Sequence, residues 1–307
     1  MRRLAPALAL TACVADVPPM DLSDAHADLA RGAYLAEHVA VCISCHSQRD
    51  WAYLYAPNTD GKLGAGSGST QQVETFPEGT VLWTKNLTPT HLGDWSDGEV
   101  ARAITSGLSR DGTPLFLNMP YDQFTNLPKD DVASVVSYLR TLPPQPDEVP
   151  ERELPFILGL VVRTMPMAPR TPAQAPEPGT AAYGAWLANI ASCVWCHSPV
   201  DENAVIIPGQ ELSGGHAFPV PAPGGGTVYS ANLTPDPSGL GAWSKEVFVA
   251  RLRGVDPATR VPVAPGGFNT PMPWMAFSGM SEADAGAIYD WLRTVPPIQK
   301  TVTKHVP

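Results

Sequence analysis

Between Lys129 and Arg140 the apolar residues Val132, Val135, Val136 and Leu139 fall at helical spacing, so a single face of an α-helix is expected to be buried there. That helix must stop before Pro143, whose ring cannot continue it. A second segment carries Ala285, Ile288, Trp291 and Leu292 in the same rhythm and stops before Pro296. Two further helices are expected near Ala27 to Val41 and Ala181 to Ser192, each running into a pair of cysteines. Ser96 reads as an N-cap whose capping box is completed by Glu99, whereas Ser244 caps a counterpart that lacks the glutamate. Gly61 to Ser69 and Pro221 to Gly226 read as loops or short hairpins. The longest apolar candidate, Pro155 to Val162 (PFILGLVV), is far short of the ~18 residues needed to span a bilayer.

The elements come in two copies. Gly32-Ala-Tyr-Leu-Ala before CISCH matches Gly184-Ala-Trp-Leu-Ala before CVWCH, Asn86-Leu-Thr-Pro matches Asn232-Leu-Thr-Pro, and Gly93-Asp-Trp-Ser matches Gly241-Ala-Trp-Ser. Met119 to Pro144 then aligns without a gap on Met272 to Pro297. Markers recurring in one order identify an internal duplication, and each copy is expected to be one mainly α domain with long loops. The expected division is a leader and tether at 1–22, a first domain at 23–144, a proline-rich linker at 145–179, a second domain at 180–298 and a tail at 299–307. The linker reads as an extended strap whose apolar patch, Leu154 to Val162, packs onto one lobe, and the outer ends are expected to fray.

Composition narrows the setting. Apolar residues make up 44% of the chain and charged residues 16%, enough to build cores without a membrane bundle. Arg2 and Arg3, the apolar run Leu4 to Leu10 and the small residues after it read as a targeting segment. Leu10-Thr11-Ala12-Cys13 resembles a lipobox, which would make Cys13 a lipid anchor on the periplasmic side of a bacterial membrane; the competing reading is ordinary cleavage after Ala15. A formal net charge of −10, more negative still once the leader is removed, argues against nucleic acid and favours a partner with a positive face.

The chemistry lies in the duplicated cysteines. Cys42-Ile-Ser-Cys45-His46 and Cys193-Val-Trp-Cys196-His197 have the spacing of c-type haem attachment, in which two sulfurs reach the two vinyl groups of a porphyrin and the histidine supplies an axial nitrogen. Thiol redox chemistry and zinc are the competing readings. A redox pair would need a βαβ context that neither copy shows, and zinc would need close ligands, whereas the pairs lie about 150 residues apart. Met119 and Met272, aligned by the duplication and each followed by proline, are the candidate sixth ligands. Met275 reads as variable and Met280 as core. Trp95 and Trp243 are candidates for a haem wall, with core packing as the alternative. His26, His38, His91, His216 and His305 do not recur in register and are assigned to surface or loops. Arg140 and Arg293 are assigned to helix C-termini, where they complement the dipole.

On these residues the chain resembles the bacterial two-haem cytochromes c built from tandem class I cytochrome c domains. It is similar in particular to the cytochrome c subunits that accompany membrane-bound alcohol and sugar-acid dehydrogenases. The resemblance covers both copies through CxxCH, NLTP, GxWS, the Met-Pro pair and the final YLR or WLR helix. It implies two covalently bound haems c, a respiratory electron carrier rather than an enzyme, and a redox partner such as a membrane dehydrogenase. It also implies that the first and last helices of each copy cross at a glycine, with Gly32 near Tyr138 and Gly184 near Trp291. Those subunits often carry three haems, and two CxxCH sites stand here. The alternative is a two-haem enzyme of peroxidase or thiosulfate-oxidising type, which would need an open iron or a ligating cysteine.

Overall fold

Where α1 (Leu29–Tyr34) crosses α6 (Lys129–Arg140), the absence of a side chain at Gly32 decides the packing. A Cβ placed there would stand 1.9 Å from the carbonyl oxygen of Ser134 and 3.1 Å from Cβ of Tyr138. The same crossing recurs where α8 (Ala181–Ile190) meets α12 (Glu282–Leu292), with a Cβ on Gly184 falling 2.0 Å from the Ala287 carbonyl and 3.0 Å from Trp291 Cβ. Backbones this close exclude every residue but glycine. The expected pairings of Gly32 with Tyr138 and Gly184 with Trp291 are both found.

The computed structural model describes residues 16–66, 78–202 and 204–307. Cys13 and the leader residues before it lie outside them, as does part of the glycine-rich stretch after Gly61. Twelve helices and one three-stranded sheet occur among the described residues. In the first half, α1 is followed by α2 (Cys42–Cys45), α3 (Pro89–Leu92), α4 (Asp97–Ser106), α5 (Tyr121–Phe124) and α6. After α7 (Phe156–Val162), the second half holds α8, α9 (Cys193–Cys196), α10 (Lys245–Arg253), α11 (Trp274–Phe277) and α12. Strands β1 (Ala217–Pro219) and β2 (Thr227–Tyr229) form an antiparallel hairpin around the expected glycine-rich turn. None of the described helices is long and apolar enough to cross a membrane.

Local chemistry sets the helix ends. Ser96 Oγ accepts from the Glu99 amide (3.2 Å) while Glu99 Oε2 accepts from the Ser96 amide (2.7 Å), the reciprocal capping box that opens α4. Ser244 caps α10 through the Val247 amide alone (3.3 Å). One end departs from expectation. The helix begun by α1 does not stay α-helical to the cysteines; Leu35–Val39 is a π-helical turn that closes with the Ala40 amide on the Leu35 carbonyl (2.8 Å). Leu35, Val39, Val132, Val135, Val136 and Leu139 from the first half and Leu187, Ile190, Met280, Ile288 and Leu292 from the second belong to one continuous buried cluster.

The two halves are joined reciprocally. The π-helical turn of the first half rests on α11, which follows Met272, and His38 Nδ1 bonds the Ala276 carbonyl (2.8 Å). In return α8 rests on α5, which follows Met119; Trp186 donates from Nε1 to the Asn126 carbonyl (2.9 Å) and Ser192 from Oγ to Gln123 (2.7 Å). Each half thus steadies the segment just after the other half's Met-Pro.

Three expectations about connections fail. The patch Leu154 to Val162 is not extended and does not pack as a whole, because 156–162 is helical. Six apolar residues interrupted by a single glycine put apolar groups on every side of a helix, so Val162 is buried while Phe156 and Ile157 are 79% and 68% exposed. The C-terminal tail does not fray either. β3 (His305–Val306) pairs antiparallel with β2, satisfying an edge that would otherwise stay open. At the other end, residues 16–22, grouped with the leader by sequence, lie against α4, with Val17 buried and the Met20 amide on the Gly98 carbonyl (3.0 Å).

Candidate functional site

Each CxxCH is delivered by the same kink. Val41 (φ 48°) and Ser192 (φ 59°) stand immediately before the first cysteine in the left-handed region. For a residue with a side chain that conformation costs about 1–2 kcal/mol, and strain of this kind is kept where a site needs the chain re-aimed. The turn Cys42–Cys45 or Cys193–Cys196 follows, so the two thiols of each pair lie three residues apart on one side of a single helical turn. All four are free thiols. Burial pushes Cys42, Cys193 and Cys196 up to about 12, which keeps them protonated at neutral pH.

The histidines are held in one tautomer. Nδ1 of His46 lies 2.7 Å from the Lys85 carbonyl oxygen, and Nδ1 of His197 lies 2.8 Å from that of Ala231. A carbonyl only accepts, so Nδ1 carries the proton in both rings and Nε2 keeps the lone pair of a metal ligand. Burial lowers the proton affinity of both imidazoles and favours the neutral form that such a ligand requires.

The carbonyls themselves are placed by the NLTP segments, a role the repeat pattern flagged without explaining. Asn86 follows Lys85, and its Oδ1 accepts from the Thr88 amide (2.9 Å) and hydroxyl (2.7 Å) while Nδ2 donates to the carbonyls of Gln145 (3.0 Å) and Asp147 (3.1 Å). Asn232 follows Ala231 and does the same with Thr234 and with the carbonyls of Ile298 (2.8 Å) and Lys300 (3.3 Å). Both asparagines are buried. Ser47 and Ser198, each next to its histidine, tie the cysteine turn to the following loop through Ile43 and Gly64, or Val194 and Leu212.

Met119 and Met272 are placed alike. Each is half-buried against the core, with its carbonyl accepting from the amide two residues on, Tyr121 or Trp274, at 2.8 Å. Met280 is fully buried core and Met275 is half-buried. Trp95 and Trp243 are half-buried at the foot of α4 and α10, their carbonyls bonded by Arg140 Nη2 (2.5 Å) and Tyr289 Oη (2.6 Å). Arg140 also bonds the Leu92 carbonyl and pairs with Asp97 (3.0 Å), so it ties the helix end to the preceding loop as well as meeting the dipole. Among the described residues no three His, Cys, Asp or Glu side chains gather in a group that could hold a metal ion.

Two residues depart from their sequence assignment. His216 is not at the surface but 2% exposed, stacked on Phe218 (ring centroids 4.5 Å apart) with Nδ1 at 3.1 Å from the carbonyl of Trp195, inside the second CxxCH. His38 is a contact between the halves. Arg49, three residues after His46, drew no attention in the sequence, yet its guanidinium binds three carbonyls at the seam. A lone arginine in a loop carries no periodic signal that would single it out.

No protein-family model matches the chain. It is 28% identical over 290 residues to the cytochrome c subunit of a quinone-dependent alcohol dehydrogenase from Gluconacetobacter polyoxogenes, an alignment covering 87% of this chain and 56% of the relative. It is 26% identical over 293 residues to the fructose dehydrogenase cytochrome subunit of Gluconobacter japonicus, covering 91% and 54%. A diheme cytochrome c-type protein of Cereibacter sphaeroides is 26% identical over 208 residues, 63% of each chain. The chain spans about half the length of the first two relatives. Over most of its length, then, this protein is similar to the cytochrome c subunits of bacterial dehydrogenases, and over a shorter stretch to a two-haem cytochrome c.

Proposed function

We propose that the protein is a two-haem c-type electron carrier, built as tandem class I cytochrome c domains at about 23–144 and 180–298, that passes single electrons from a dehydrogenase or quinol-oxidising complex to a terminal acceptor. The observation that carries this reading is the duplicated imidazole: His46 and His197 each follow a pair of free thiols and keep Nε2 available because Nδ1 is spent on a fixed carbonyl. Cys42 and Cys45 would hold one haem, and Cys193 and Cys196 the other. Bound in this way, each haem supplies an iron that alternates between ferric and ferrous.

The chain's own residues do the rest. The cysteines would retain the group, the Lys85 and Ala231 carbonyls fix the ring orientation and raise imidazole basicity, and Met119 and Met272 would complete its protein ligands and raise its potential. Trp95 and Trp243 would line the pocket edge. With His46 and Met119 holding one group and His197 and Met272 the other, the group would supply outer-sphere electron transfer rather than an open site for substrate. The similarity to dehydrogenase cytochrome subunits supports a dehydrogenase as the partner, and the net charge of −10 supports a positive docking face on it. We place the protein on the periplasmic side of a membrane, held there through a lipid on Cys13.

The deciding experiment is haem quantification of the purified protein together with a titration of cyanide and imidazole. Two covalent haems per chain, both low-spin and indifferent to added ligand, are expected. A haem that binds peroxide or cyanide in the resting protein would move the assignment to a two-haem enzyme, and a chain without covalent haem would end it.

A further inference from the structure

The segment that carries Met272 has little hydrogen bonding of its own. Pro271 and Pro273 flank the methionine and neither has an N–H, so three backbone groups matter most: the Met272 amide and the carbonyls of Pro271 and Met272. The Met272 amide donates to Thr270 Oγ1 (3.2 Å), and the Met272 carbonyl accepts from Trp274 (2.8 Å). The Pro271 carbonyl is bonded from the other half of the molecule, by Nη1 of Arg49 at 3.0 Å.

Arg49 is well placed to hold it. Nε donates to the Ala56 carbonyl (2.9 Å) and Nη2 to that of Tyr55 (3.0 Å), and the guanidinium carbon lies 5.0 Å from the ring centre of Trp51. Two donors of a rigid fork are thus anchored in its own loop, with Trp51 near the guanidinium, and a third reaches across the seam. Asn269 reinforces the same junction: Oδ1 accepts from the Tyr55 amide (2.9 Å), and Nδ2 donates to the carbonyls of Trp51 (3.2 Å) and Tyr53 (3.0 Å). Downstream, His38 bonds the Ala276 carbonyl. The first half therefore brackets Met272 on both sides. The arrangement is one-sided, because the duplication places Val200 where the second half would need a matching arginine.

We propose that Arg49 is a positioning residue for Met272, so that the axial methionine of the second haem is set by the loop that follows the histidine of the first. The proposal rests on the reading of Met272 as an axial ligand. Ligation in the second half then depends on the docked first half, whereas Met119 owes nothing to Arg49.

The test uses the haem-loaded full-length protein and reads the methionine-to-iron charge-transfer band of the ferric form and the number of haems that bind imidazole. Met272→Ala alone is expected to remove half the band and open one haem. Arg49→Gln should do the same. Adding Met272→Ala to Arg49→Gln should change nothing more, whereas adding Met119→Ala should remove the remaining band. Arg49→Lys, which keeps the charge but not the fork, should also open one haem, and the Met119 half of the band reports that each variant is folded. A full band and no imidazole binding in both Arg49 variants would overturn the proposal, as would a loss that proves additive with Met272→Ala. A silent Met272→Ala would instead remove the ligand assignment itself, and the proposal with it.

Discussion

The hydroxyl of Tyr34, in the first half, donates to Oδ2 of Asp284 in the second at 2.5 Å, while Tyr183 donates to the other oxygen of the same carboxylate at 3.0 Å. Asp284 sits in the first turn of α12, where the helix dipole favours its charge, and its own amide is capped by Ser281 Oγ (3.0 Å). Tyr34 returns a contact by accepting from the Ser281 amide (3.1 Å). One carboxylate thus joins α1, α8 and α12.

This junction predicts how the halves respond to alkali. Burial, with the Asp284 hydrogen bond second, raises Tyr34 from 10.0 to about 12, and burial with the charge of Asp284 does the same for Tyr183. The folded state holds these protons more tightly than the unfolded chain, so the stabilisation is complete below pH 10 and is lost as pH rises towards about 12. Tyr34→Phe should flatten that part of the stability profile and cost about 1.5–3 kcal/mol at neutral pH, the range for a hydrogen bond to a charged group. Denaturant melts from pH 7 to 12 would check it; an unchanged alkaline limb would deny the junction its weight.

Gly32→Ala and Gly184→Ala should each destabilise the protein by about 1–3 kcal/mol or more, because the added methyl meets a backbone carbonyl that cannot turn aside. Gly159→Ala provides the contrast. That glycine lies within α7 with nothing within 4 Å of an added Cβ, so the change should stabilise by about 0.4–1 kcal/mol. Thermal melts of the three variants are sufficient.

These glycines also show how far the sequence could be read. Gly32 and Gly184 stand at matched positions before the cysteines, but it was the resemblance to tandem cytochrome c domains, rather than apolar spacing, that implied the two crossings, and both are found. The histidines, cysteines and methionines of the proposed site were singled out because duplication puts each in register with a partner. What escaped is held by contacts that leave no periodic trace. The carbonyl clamps of Asn86, Asn232 and Arg49 join residues as many as 222 positions apart, and backbone acceptors have no sequence signature. The pairing of β3 with β2 depends on an open edge that exists only after the hairpin has folded. His216 lacks a repeat partner, so nothing set it apart from surface histidines until its ring was found stacked on Phe218.

On the haem reading, the methionines should separate cleanly by role. Met119→Ala and Met272→Ala should each turn one haem high-spin or ligand-binding, seen in the ferric spectrum. Met280→Ala should leave both spectra intact and cost about 2–5 kcal/mol, since that side chain is fully buried in the core. A Met280 variant with one opened haem would reverse the assignment of Met272.

The asparagine clamps allow the two halves to be perturbed separately. Asn232 joins the Ala231 carbonyl to the chain beyond α12, through Ile298 and Lys300, whereas Asn86 joins the Lys85 carbonyl to the linker through Gln145 and Asp147. Alanine at either position strands two carbonyls and the amide of Thr88 or Thr234, so a loss of about 1–3 kcal/mol per variant is expected. The location of the damage should differ. In Asn232→Ala, hydrogen exchange should rise at 298–306, where β3 loses the anchor behind it, and the haem proposed at His197 should shift in potential because the carbonyl that orients the ring is no longer fixed. In Asn86→Ala, exchange should rise instead at 145–153 and the shift should fall on the haem of His46. Equal exchange along both segments in either variant, or potentials that stay put while exchange changes, would mean that the clamp secures the chain without governing the imidazole.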